Sequence, residues 1–221
     1  MAMLNFPYLE INNKKIDTAY CLAVATLSAN ILPFKDGLLA EEKSVIIAGL
    51  GCYVTPSTRD AAINTWNAGG LVCPEESLNT LKSVLKHTEA GHMIDGEYWD
   101  YIIWAVGAWW QYLYTEDKEF LRIAYEAVKN SLAFFEKTEF SEELNLFRGP
   151  ACYGDGVSAY PDIYAQHGNS GIISFSVENK EFCEKVALEF RFMLYLQTVF
   201  IITLMYWQIK WQASLKYRKS M

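Results

Sequence analysis

Arg59 and Asp60 stand side by side in the stretch Tyr53 to Gly70, between a proline-containing turn and an alanine-rich segment, and Trp66 follows six residues later. A guanidinium donates in a planar fork and a carboxylate accepts. Such a pair makes either a surface salt bridge or a clamp on the hydroxyls of a sugar. A second chemical stretch is "DGEYWD", Asp95 to Asp100, where a loop runs into a strongly apolar segment. A third is "CYGDGVSAYP", in which Asp155 lies between two glycines, close to Tyr153 and Tyr160. Glycines permit a tight bend and close approach by a ligand. A carboxyl group among aromatic rings is desolvated, and that favours its neutral, proton-donating form. A plain Asp-Gly turn is the structural alternative there. At Asp60 the alternative is a helix cap beside an unrelated arginine. At "DGEYWD" it is a cap from Asp95 or Glu97 with Trp99 in the core.

The elements that must position these residues are read from apolar spacing. Ile16 to Ile31 reads as a helix of small and apolar residues. Residues 32–58 are loop-rich, broken by Pro33, Gly37, Gly49, Gly51 and Pro56. Asp60 to Trp66 reads as a short helix ended by Gly69-Gly70. Pro74 to Lys86 has Pro at its first turn, two glutamates near the positive end, and Leu78, Leu81, Val84 and Leu85 along one face. The stretch "HTEAGHMIDG" reads as a loop. Tyr98 to Tyr114 is apolar nearly all round, the mark of a helix buried on most sides. Asp117 to Lys137 carries a single stripe: Phe120, Ile123, Ala124, Ala127, Val128, Leu132 and Phe135. A buried helix followed at once by a half-exposed one is the unit of an α/α toroid. Strand patterns are nearly absent before residue 170, so the expected class is all-α.

The "TRD" turn, the helix pair and "LFRGPACYGDGVSAYPDIYA" together resemble the six-hairpin (α/α)6 glycosidases, most closely the glucoamylase and debranching-type α-glucosidase branch. The resemblance covers about Ile47 to Ala165. It implies helical hairpins forming part of an (α/α)6 toroid and an inverting hydrolase of α-linked glucosides or similar sugars, with no cofactor and no metal. It implies that Arg59 and Asp60 grip hydroxyls of the terminal sugar. Trp66, Trp99, Asp100 and Tyr153 would line the same site, and Asp155 would be the general acid. The chain departs from the family at Ser57, where an aromatic residue often precedes Thr-Arg-Asp. An inverting enzyme also needs a second carboxylate about 6.5–9.5 Å from the first. The family draws that base from the far half of its toroid, and the residues here supply no candidate. The chain is short for six hairpins, so it is expected to be an N-terminal part, inactive by itself. The alternative is a degenerate carbohydrate-binding or membrane-tethered remnant.

Composition narrows the partners. A net charge of −7 and no basic stripe interleaved with aromatics set nucleic acid aside. Five cysteines, an odd number without a CxxC pair, argue against zinc and against a disulfide framework. His87 and His92 read as solvent-facing loop residues rather than a metal pair. No basic start followed by an apolar stretch marks a signal peptide, which points to the cytoplasm. The expected domains are residues 1–166, the partial glycosidase, and an atypical tail, 167–221. Within the tail Phe192 to Trp207 is almost wholly apolar. It reads as a marginal membrane span, a buried helix, or a segment translated out of frame.

Overall fold

The computed structural model describes residues 6–49, 51–96, 100–143 and 145–147. They belong to two compact units, one within Met1–Gly96 and Ile103–Asn130, the other within Glu97–Ile102 and Ser131–Met221.

In the first unit, α1 (Lys14–Ala29) begins at Asn13, whose side chain accepts from the backbone N–H groups of Lys15 and Ile16. None of its residues is buried. Leu27, near its end, packs on a cluster of Ile31, Ile46 and Cys73. Strands β1 (Ile31–Phe34) and β2 (Lys43–Ile46) pair antiparallel, with Ile31 opposite Ile46. Helix α2 (Thr58–Asn64) leads into a π segment, Thr65–Gly69, and one α turn, α3 (Gly70–Val72). Helix α4 (Pro74–Ser83) packs on β2, and Leu81 of the helix and Val45 and Ile46 of the strand are all buried. Thr80 Oγ1 fixes that contact by accepting from Ile46 N at 2.8 Å. It donates in turn to the Glu76 carbonyl, so both of its functions are used inside the core. Strands β3 (Leu85–Thr88) and β4 (Gly91–Ile94) form a second antiparallel hairpin.

Helix α5 (Asp100–Thr115) lies against α4 in the first unit. Trp104 donates its indole N–H to the Leu81 carbonyl of α4 at 3.2 Å, and Gln111 Nε2 donates to the Pro74 carbonyl at 2.8 Å. Gly107 lies against α2: a Cβ there would stand 2.6 Å from Ala62 Cα. Helix α6 (Lys118–Glu139) turns back along α5, with Trp104 and Phe120 meeting edge to face at 6.4 Å. In the second unit Tyr101 of α5 meets Phe135 of α6 in the same way, at 5.9 Å. Phe135 stacks on Phe147, in the short hairpin of β5 (Phe140–Ser141) and β6 (Leu146–Phe147).

The all-α expectation, and with it an architecture of helical hairpins alone, is corrected. The described residues hold three two-stranded antiparallel sheets between and after the helices, so the class is mixed. The reason is length. Strands of four and two residues are too short to display an alternating pattern against their neighbours. The apolar stripe of Pro74–Lys86 hides one of them: Leu85 continues the helical spacing but enters β3, because the helix stops at Ser83. The helix expected to end at Gly69-Gly70 instead runs on to Val72. Gly70 is there for contact rather than termination, since a Cβ would stand 2.7 Å from the Tyr114 ring. The boundary at residue 166 and the apolar run 192–207 lie outside the described residues. Among the described residues no helix is long and apolar enough to cross a membrane.

Candidate functional site

Arg59 and Asp60 occupy the first turn of α2, both half-buried. The residue that starts the helix is Ser57. Its hydroxyl accepts from Asp60 N at 3.4 Å and donates to Asp60 Oδ2. That is a capping arrangement with Asp60 at its third position, where a negative charge also meets the positive end of the helix. Asp60 is therefore oriented by Ser57. One carboxylate oxygen is held by that hydroxyl.

Thr58 is buried, and its hydroxyl donates to the carbonyl of Asp95. This bond joins the turn that holds Arg59 and Asp60 to the start of the "DGEYWD" stretch, 37 residues further on. Asp95 is itself placed by β4: its N–H donates to the Val84 carbonyl, and its exposed carboxylate pairs with Lys86 Nζ at 3.0 Å. Nothing in the sequence marks Thr58 or this bond. Threonine at the first helical position gives no pattern, and the partner is a backbone oxygen.

Trp66 sits in the π segment with 38% of its surface exposed, and its carbonyl accepts from the Tyr114 hydroxyl at 3.3 Å. It lies seven residues from Arg59, a rise of about 10 Å along a helix axis. Asp100 opens α5, where its charge favours the helix N-terminus, and its Oδ1 is shielded from solvent. It belongs to the second unit, whereas Arg59, Asp60 and Trp66 belong to the first. Trp99, Tyr153 and Asp155 lie outside the described residues.

Two other groups bear on chemistry. Cys73, which precedes α4, is buried, and desolvation followed by the nearby Glu76 carboxylate pushes its thiol up to about 12, with the neighbouring Ser77 side chain acting the other way. A thiol at a helix start is ordinarily activated. Burial wins here, so Cys73 is a core residue and not a nucleophile. The loop expected over "HTEAGHMIDG" is the β3–β4 hairpin, and it sets His87 directly opposite His92. Among the described residues no group of three or more His, Cys, Asp and Glu could hold a metal ion.

Comparison with protein families, curated proteins and solved structures finds no match to this chain.

Proposed function

We propose that the chain holds carbohydrate, as part of an inverting glycoside hydrolase acting on α-linked glucosides or similar sugars. The observation that carries this reading is the Thr58–Asp95 hydrogen bond, which within the first unit ties the turn of Arg59 and Asp60 to the first residue of the second stretch that chemistry singled out. A sugar ring presents hydroxyls that both donate and accept. Arg59 supplies donors, and Asp60, held by Ser57, supplies acceptors in a fixed direction. Fixing a binding group beforehand lowers the entropy lost on association. Trp66, partly exposed further along the same helical path, offers an apolar ring face to a neighbouring sugar. Asp155 keeps the role of general acid that the family resemblance implies for it.

The test is calorimetric titration with maltose. Hydrogen bonds to charged groups contribute about 1.5–3 kcal/mol, so Arg59→Ala and Asp60→Asn should each weaken binding by about tenfold or more. The capping bonds of Asp60 favour a second reading, in which it serves the helix alone. Ser57→Ala separates the two. If Asp60 is only a cap, Asp60→Asn and Ser57→Ala lower stability alike and leave sugar affinity untouched. Unchanged maltose binding in both Arg59→Ala and Asp60→Asn refutes the sugar reading.

A further inference from the structure

The strongest remaining cluster is the histidine pair on the β3–β4 hairpin. His87 and His92 are cross-strand partners, and their Nδ1 atoms face each other at 3.5 Å with the rings edge to face. Around them the hairpin is anchored. Thr88 Oγ1 donates to the Gly91 carbonyl across the turn. On the outer edge of β4, His92 N donates to Glu126 Oε1 at 3.1 Å, and Asn130 Nδ2 donates to the carbonyls of Ala90 and His92. Because the backbone groups of His92 point outward to α6, the His87–His92 pair is of the non-hydrogen-bonded kind, in which facing side chains come closest. Helix α6 thus fixes the strand that carries one ring, and strand pairing fixes the other.

A separation of 3.5 Å is long for a hydrogen bond between two ring nitrogens. It is close to the bite of a metal ion. Two nitrogens bound to tetrahedral zinc at about 2.0–2.1 Å stand about 3.3–3.4 Å apart. A shift of a few tenths of an ångström at either ring closes the difference.

We propose that His87 and His92 form a two-ligand site for a borderline divalent transition-metal ion, with Zn²⁺ as its best fit. Imidazole nitrogen suits zinc and does not suit the oxygen-seeking Ca²⁺ and Mg²⁺. No third His, Cys, Asp or Glu joins the pair among the described residues, so water fills the other positions and the site is open. The carboxylate of Glu126 against the hairpin backbone adds a favourable charge.

The experiment is calorimetric titration of the full chain with ZnCl₂ at neutral pH, beside His87→Ala and His92→Ala. Removing an outer partner of a metal ligand typically costs about 10–100-fold in affinity, and removing a ligand should cost at least as much. Each variant should therefore weaken zinc binding by about tenfold or more. His87 is exposed and His92 half-buried, so both variants keep the fold, as an unchanged circular dichroism spectrum will confirm. Equal zinc affinity in the wild type and both variants would overturn the proposal and place any bound ion elsewhere, at exposed thiols such as Cys21 and Cys52.

Discussion

Helices α5 and α6 follow one another in the chain and bury their surfaces differently. On α5 the residues Tyr101, Ile102, Ile103, Trp104 and Ala105 are all buried in succession, and Ala108, Trp109 and Gln111 follow. On α6 burial falls at Phe120, Leu121, Ala124, Ala127, Val128, Ser131 and Phe135, one stripe at helical spacing. The partners explain the contrast. Within the first unit α5 meets α4 at Trp104 and Gln111, α2 at Gly107, and α6 at Trp104. A helix with neighbours on several sides buries most of its surface, and α5 opens to solvent only toward its end, where Leu113 is 47% exposed. A helix with one apolar stripe leaves the rest to charge. Composition around the axis thus reports how many neighbours a helix has.

Mutations can break this comparison, and the largest effect belongs at Trp104. It is fully buried and bonded to the Leu81 carbonyl. Trp104→Ala should destabilise by about 3–5 kcal/mol, read from denaturant unfolding. Less than about 1 kcal/mol would mean that α5 is not the inner helix. Gly107→Ala comes next, because its new methyl group meets the backbone of Ala62 rather than a flexible side chain. Overpacking of that kind costs about 1–3 kcal/mol. A neutral result would show that α5 and α2 lie further apart than described.

The smaller effects belong to α6. Asp117 Oδ1 accepts from the N–H groups of Glu119 and Phe120 at 2.9 and 3.0 Å, so it caps the helix. Asp117→Ala should lower stability by about 1 kcal/mol. On the outer face, Phe134 is 47% exposed. Phe134→Ala should change stability by no more than about 0.5 kcal/mol. A larger loss would reveal a partner on the face that the comparison assigns to solvent.

The same contrast explains what could be read from the sequence. Helices α1, α5 and α6 were expected within about two residues of where they lie, because sixteen residues or more give an apolar pattern room to repeat. The hairpins were not, because β3 and β4 hold four residues each and Leu85 fits a helical stripe as well as a strand. At the candidate site the spacing of Arg59 and Asp60 singled them out. Their supports did not stand out, since Ser57 acts through two local hydrogen bonds to Asp60 and Thr58 through one to a distant backbone oxygen. His87 and His92 read as loop residues because their meeting depends on the register of a hairpin that the sequence did not announce.

The carbohydrate reading rests on one turn, and ¹⁵N-resolved NMR of the labelled chain titrated with maltose reads that turn residue by residue. The account predicts saturable shifts at the amides of Arg59 and Asp60, extending through the Thr58 contact to Asp95, with the amides on the outer face of α6 unmoved. Saturable shifts confined to other residues, or no shifts at any maltose concentration, would contradict it.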